Sequence, residues 1–132
     1  MKPFQLPALL LALSCAQAPA QNNQAAPPSA TPPATEAQAR VELMDQIERQ
    51  VRLPDGAGPL ASYARYYAWQ QREDGVRKLV AVYENLTGAP PGRRWVADTE
   101  FPLVLDGGCG FISLSYDLAA QRVEHVTCNG EG

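Results

Sequence analysis

The spacing of apolar residues changes once along this chain, and that change limits the folds available to it. In residues 35–52 apolar side chains recur every three or four positions, as on one face of a helix. After the turn-rich break at residues 54–59, apolar and polar residues alternate, as in strands with one buried face. One helix followed by strands predicts an α+β domain, in which the helix packs on a four- or five-stranded antiparallel sheet.

The predicted helix has recognisable ends. Thr35 and Gln38 form a capping box, in which a hydroxyl and an amide side chain satisfy backbone groups at the start of a helix. Pro54 follows Arg52 closely and ends the helical run. The apolar stripe that would face the sheet consists of Val41, Leu43, Met44, Ile47 and Val51.

The dipeptide Asp74-Gly75 separates two alternating segments and predicts a β-hairpin. We expect Glu73 to lie opposite Val76, because this register brings apolar partners together. The register places Tyr66 and Tyr83 on one face of the sheet and Tyr67 and Trp69 on the other. The expected partners are Trp69 and Val80, Tyr67 and Val82, Arg65 and Glu84, and Tyr66 and Tyr83.

These aromatic residues are the candidate partner-binding residues: Tyr66 and Tyr83 on one face, Tyr67 and Trp69 on the other. The helix can cover one face only, and exposed Tyr and Trp are enriched at interaction surfaces. The alternative is that residues 88–102 cover the second face, and both interpretations are open. Residues 101–105 are apolar and prone to form a strand, although Pro102 favours an edge or an irregular start.

Residues 1–20 have the pattern of an export signal. Lys2 supplies the positive start, residues 4–13 form an apolar core, and small residues at Ala16, Ala18 and Ala20 provide cleavage patterns. The core is shorter than the roughly 20 residues that span a bilayer as a helix. The expected location is the periplasm or outside the cell, and residues 35–132 form the single folded domain.

The leader permits a second interpretation. Ala12-Leu13-Ser14-Cys15 resembles a bacterial lipoprotein box, so lipidation of Cys15 would make the chain an outer-membrane lipoprotein, with no other membrane contact expected. Residues 21–34 are rich in Ala, Pro and Gln and carry no charge. Such a composition predicts a disordered tether, which suits either a lipidated or a soluble exported domain.

The second hairpin contains the two cysteines of the mature domain. We expect Asp117 to pair with Arg122, which would set Tyr116 opposite Val123, Ser113 opposite Val126 and Phe111 opposite Cys128. Cys109 and Cys128 then lie on one face as diagonal neighbours, and in an exported chain they should form a disulfide. The glycine-rich stretch of residues 106–110 predicts a bulge or turn beside it.

Composition and motifs exclude several functions. The net charge is −3 with no basic block, so no nucleic-acid partner is expected. The lone histidine, His125, and scattered carboxylates do not form a metal-ligand pattern, and no cofactor is expected. Cys109 is assigned to the disulfide and no Gly-x-Ser-x-Gly motif is present, so no catalytic residue is predicted.

Four stretches carry a resemblance. They are residues 59–67, Gly92-Arg93-Arg94-Trp95-Val96, Asp106-Gly107-Gly108-Cys109, and the segment from Tyr116-Asp117 to Cys128-Asn129-Gly130. They are similar to small exported proteins, predicted in many proteobacteria, whose function is unknown; the resemblance implies an envelope location and no activity. The predicted order of one helix and an antiparallel meander is similar to cystatin-like folds. The Gln-x-Val-x-Gly loop of cystatins is absent, so the resemblance does not imply that this chain is an inhibitor.

Three classes of function follow. The expected one is a non-enzymatic binding or structural module that contacts another envelope component. The alternative is an inhibitor of an envelope hydrolase or protease, which should present a flexible apolar loop such as residues 88–92. A small enzyme would instead need a cleft that gathers His125 with an acid such as Glu124 or Asp117.

Overall fold

The predicted helix forms α1, Glu36–Gln50, in a computed structural model that describes residues 35–130. The capping box is present: Gln38 N–H donates to Thr35 Oγ1 at 3.3 Å, and Thr35 N–H donates to Gln38 Oε1 at 2.9 Å. Val51 follows the last turn, and its N–H still donates to Ile47 O at 2.8 Å. The helix therefore ends at Gln50, where Val51 leaves the helical conformation, a few residues ahead of Pro54.

Five strands form one mixed sheet in the order β3-β1-β2-β4-β5. The expected α+β class is confirmed, but the sheet is not purely antiparallel because β3 pairs with β1 in parallel. β2 ends beside the beginning of β1, so the link of residues 85–91 enters β3 from that same end. The strands are β1 Ala64–Gln71, β2 Arg77–Glu84, β3 Gly92–Trp95, β4 Gly108–Asp117 and β5 Arg122–Asn129, with short 3₁₀ turns at Leu60–Ser62 and Asp98–Glu100.

The first hairpin forms, but its predicted register is wrong by one residue. Arg72 N–H donates to Val76 O at 3.1 Å, which leaves a three-residue loop in which Gly75 has a φ of +79°. The sequence prediction assumed a two-residue loop, and both loop types accept a glycine at this point. The one-residue shift moves Tyr83 to the same face as Tyr67. The observed partners include Tyr66 and Val82, Tyr67 and Ala81, Trp69 and Leu79, and Arg65 and Tyr83.

The second hairpin begins as predicted and then changes register. Asp117 pairs with Arg122 and Tyr116 with Val123, but Glu124 is an extra residue in β5. Beyond this bulge the expected pairs of Ser113 with Val126 and Phe111 with Cys128 do not form. Ser113 instead lies opposite Thr127, and Ile112 lies opposite Cys128.

The disulfide between Cys109 and Cys128 is confirmed, with a Cα–Cα distance of 4.5 Å. It lies where β4 departs from regular pairing: Gly108 is opposite Asn129, and the next paired residue of β4 is Ile112. The glycine-rich stretch is therefore a bulge beside the disulfide, as predicted. The bulge keeps Cys109 within reach of Cys128 despite the changed register.

The core lies between α1 and one face of the sheet. Each large apolar side chain buried there contributes about 1.5–3 kcal/mol to the free energy of unfolding. The buried core residues are Met44, Ile47, Val51, Tyr63, Tyr67, Leu79, Ala81, Tyr83, Ile112, Leu114, Tyr116 and Cys128.

The other face of the sheet is covered by the connection between β3 and β4. Because β4 lies beyond β1 and β2, residues 96–107 have to cross both strands. Ala68 and Val82, which point away from α1, are buried, and the 3₁₀ turn Asp98–Glu100 contacts β1. The structure therefore favours the interpretation in which a chain segment, rather than a partner, covers much of this face.

The predicted export signal in residues 1–20, the tether in residues 21–34 and the lipidation site Cys15 all lie outside the described residues. Within residues 35–130, the helix is neither long enough nor apolar enough to cross a membrane.

Candidate functional site

Tyr67 and Tyr83 are structural residues rather than partner-binding residues. Both are 0% exposed beneath α1, so neither ring is available to a partner in this structure, and the expectation that Tyr67 and Tyr83 lie on opposite faces is wrong. Tyr67 donates its hydroxyl proton to Glu48 Oε1 at 2.9 Å, and the two tyrosine hydroxyls are 2.8 Å apart. Since the Tyr67 proton is engaged by Glu48, Tyr83 is the donor in the second bond. The correct register, which places both rings under the helix, explains the error.

Charged residues complete this cluster between the helix and the sheet. Arg65 Nε donates to Glu48 Oε1 at 2.7 Å, and Arg93 forms an ion pair with Asp45. Burial raises the pKa of both tyrosines, and the neighbouring Glu48 carboxylate raises it further. The hydrogen bond that Arg93 donates to the Asp45 carboxylate raises the pKa of Arg93. The tyrosines thus remain neutral donors, and the cluster fixes α1 on the sheet.

Trp69 and Tyr66 are half-buried, and each is already covered by an arginine. The Arg77 guanidinium lies 4.8 Å above the centroid of the Trp69 ring, which also packs against the core and against Trp95, with the ring centroids 5.4 Å apart. Arg94 lies 4.9 Å above the Tyr66 ring, and its Nη1 donates to the tyrosine hydroxyl at 3.1 Å. These intramolecular cation–π contacts occupy ring surface that a partner would otherwise use.

His125 is exposed on β5, directly opposite Ser115. The Ser115 hydroxyl donates to Glu124 Oε2 at 3.4 Å, and Glu124 pairs with Lys78 at 3.2 Å. The described residues thus show no hydrogen bond from Ser115 to His125, which a serine nucleophile and its base require. Among residues 35–130, no three His, Cys, Asp or Glu side chains cluster as metal ligands would.

The most unusual surface feature is a short segment before β4. Leu103 is 87% exposed and Leu105 is 85% exposed, while Val104 between them is partly buried. We call residues 102–106 the leucine loop. The apolar run of residues 101–105 predicts a strand here, but the segment pairs with none of the described strands. Single exposed apolar residues are common, whereas two outward leucines that flank one anchored residue make this segment a candidate contact surface.

The leucine loop is held from its inner side. Asn129 Nδ2 donates to Val104 O at 2.5 Å. A Cβ on Gly107 would lie 2.6 Å from Leu86 Cδ1 and 3.1 Å from both Val104 Cγ1 and Phe111 Cβ. These side chains therefore close around Gly107 and leave no room for a side chain there. Val104 is anchored inward, whereas Leu103 and Leu105 on either side of it are exposed to solvent.

Glu84 fixes the adjoining turn. Its buried carboxylate accepts hydrogen bonds from Leu86 N–H and Thr87 N–H, each at 2.9 Å, and from Thr87 Oγ1 at 2.6 Å. Burial alone would raise the pKa of Glu84, but these bonds and the positive charge of Arg94 lower it below its ordinary value. An ionised Glu84 thus positions Leu86, a half-exposed side chain that packs against Gly107 next to the leucine loop.

Carboxylates flank the leucine loop on both sides. Asp98 and Glu100 precede it, Asp106 ends it, and all three residues are exposed. In sequence, the two exposed leucines are therefore bracketed by acidic residues, of which Glu100 accepts a hydrogen bond from Ala97 N–H at 2.7 Å. Residues 88–92, the loop that an inhibitor was expected to present, contain only Gly, Ala and Pro and have no comparable pair of exposed leucines.

Comparisons with known proteins supply no relative from which a role could be transferred. No protein-family model, curated protein or solved structure matches this chain.

Proposed function

We propose that this chain is an exported, non-enzymatic module of the cell envelope that binds a partner protein through the leucine loop. The observation that carries the proposal is the 87% and 85% exposure of Leu103 and Leu105 on a segment whose middle residue is anchored. An anchored segment loses little conformational entropy on binding. The free energy gained by burying the leucines is therefore available almost entirely for binding. Apolar residues enclosed at the centre of an interface are typical binding hot spots.

Two features support export. The leader pattern of residues 1–20 predicts it, and a disulfide between Cys109 and Cys128 is typical of oxidising compartments. Mass spectrometry of the N-terminal peptide of the mature protein distinguishes soluble export from lipidation. A start at Gln21 supports a soluble periplasmic or secreted protein, and a lipidated Cys15 supports an outer-membrane lipoprotein. An intact Met1 in the cytoplasm would contradict both.

Binding is tested with the tagged mature protein in envelope extracts, using the double variant L103S/L105S. The matched control is V76S/L118S, because Val76 is 59% and Leu118 40% exposed elsewhere on the domain. We expect the wild type and the control to retain the same partner and the loop variant to lose it. The thermal unfolding temperatures should agree among the three proteins. Retention of that partner by the loop variant would contradict the proposal.

A further inference from the structure

The backbone pairing between β4 and β5 is interrupted beside the disulfide. Cys128 pairs with Ile112, and the next pair toward the end of β5 is Asn129 with Gly108. The three β4 residues between these pairs, Cys109 among them, have no partner in β5 within the described part of the chain. The disulfide between Cys109 and Cys128 crosses this gap, so it supplies a covalent link where the ladder of backbone hydrogen bonds is missing.

The end of β5 also holds the leucine loop. Asn129 directly follows Cys128 and donates from Nδ2 to Val104 O at 2.5 Å. Gly130 comes next, and a Cβ on this glycine would lie only 2.8 Å from Asp106 Oδ1. The last residues of β5 thus contact the loop at its middle and at its final residue. The shape of the loop therefore depends on how firmly the end of β5 is attached to β4.

The two strands are attached to the domain unequally at this gap. The β4 side has a contact that does not involve the disulfide, because the buried Tyr63 hydroxyl donates to Cys109 O at 2.6 Å. On the β5 side, the backbone beyond Cys128 is attached within residues 35–130 only through its pair with Gly108. Strand ends with few contacts have the lowest local stability. Without the disulfide, we therefore expect β4 to keep its position and the end of β5 to open.

From these contacts we infer that formation of the disulfide assembles the leucine loop, so that the binding surface is complete only in an oxidising compartment. The inference rests on the proposed binding function and adds its regulation. In the oxidised chain Asn129 is held against Val104, and the loop enters a complex already shaped. In the reduced chain the loop has to be ordered during binding, and the conformational entropy lost in that step weakens the complex.

The chemical step is a thiol–disulfide exchange with a disulfide-bearing oxidoreductase of the oxidising compartment. Cys109 is partly exposed and Cys128 is only 8% exposed, so Cys109 is the more accessible of the two. The Cys109 thiolate attacks the disulfide of the oxidant, forms a mixed disulfide and displaces one thiolate. The Cys128 thiolate then attacks the Cys109 sulfur and displaces the other. The two cysteines lose two electrons and two protons in total, and the oxidant takes them up as a dithiol.

The coupling between the disulfide and the loop is tested by NMR order parameters of the backbone amides in the mature protein. We expect values of about 0.85 at Leu103 and Leu105 in the disulfide-bonded wild type. They should fall below about 0.6 in the reduced wild type and in C109S/C128S, with β1 and β2 rigid in all forms. The control is I47A, which keeps the disulfide but removes a fully buried core side chain. It should be destabilised to a similar degree and still have an ordered loop.

Binding is then compared in envelope extracts. C109S/C128S should retain at least about tenfold less partner than the wild type, because ordering the backbone of one or two residues costs that much in affinity. An ordered loop in the reduced form, a disordered loop in I47A, or equal retention of the partner by C109S/C128S would overturn the inference. If L103S/L105S loses the partner and C109S/C128S retains it, only the redox dependence fails. Retention of the partner by L103S/L105S would instead contradict the proposed function, whatever the order parameters are.

Discussion

Asn129 donates from Nδ2 to the backbone carbonyl of Val104 at 2.5 Å, although the two residues lie in different segments of the chain. Asn129 directly follows Cys128, so the disulfide and this bond fix the same end of the domain. The bond sets the direction of the leucine loop, because an anchored Val104 turns Leu103 and Leu105 outward.

Replacing Asn129 with Ala tests this anchor. The lost hydrogen bond should lower the free energy of unfolding by about 0.5–1.5 kcal/mol. The larger effect should be local, with faster amide hydrogen exchange in residues 102–106 and unchanged exchange in β1 and β2. The matched control is N85A, a neighbouring exposed asparagine whose side chain makes no hydrogen bond within residues 35–130. Equal exchange in the loop of both variants would show that Asn129 is not the anchor.

The lowered pKa of Glu84 predicts a loss of stability in acid. Its unfolded-state pKa is near the ordinary value of 4.5, and its folded-state pKa lies below that value. The stabilisation is therefore fully present above about pH 5 and is lost as the pH falls through the folded-state pKa. Urea unfolding across this range should show a decrease that the E84Q variant lacks.

E84Q should also be less stable than the wild type near neutral pH, by about 1–3 kcal/mol, because its neutral amide accepts the turn hydrogen bonds less well. E36Q is the control, since Glu36 is exposed on the helix surface. A wild-type acid dependence that E84Q retains in full would contradict the assignment to Glu84.

The disulfide should contribute to stability as well as to the geometry of the loop. The cysteines are separated by 19 positions, and a closed loop of that size is worth about 3 kcal/mol in the chain-entropy model. The double variant C109S/C128S should lose about 2–4 kcal/mol in denaturant unfolding. Mass spectrometry of the wild type should show a gain of two hydrogens on reduction. An unchanged mass in protein taken from the periplasm would show that the bond is absent there.

Local patterns predicted the elements that depend on neighbours in sequence. The capping residues Thr35 and Gln38 set the start of α1, and the turns at Asp74-Gly75 and Asp117–Arg122 located both hairpins. The register of the first hairpin could not be obtained in this way, because Gly75 fits a two-residue and a three-residue loop equally. The one-residue difference decides whether Tyr83 is under the helix or on the opposite face.

Features that depend on distant contacts were not predictable. β3 is a four-residue edge strand with two arginines, so it has no clear apolar alternation, and its parallel direction follows from the path of the chain. The apolar run at residues 101–105 is equally compatible with a buried strand. Its exposure arises from the bond between Asn129 and Val104 and from the close packing around Gly107, which join distant parts of the sequence.

The leucine loop is the proposed partner-binding surface of this domain. It is tested most directly by placing a photo-cross-linking residue in the full chain at position 103 or 105, and at position 76 or 118 as a control, in cells that export the protein. We predict one cross-linked product of defined mass from positions 103 and 105, and none from positions 76 and 118. Products of the same mass from all four positions, or from the two control positions only, would contradict the claim.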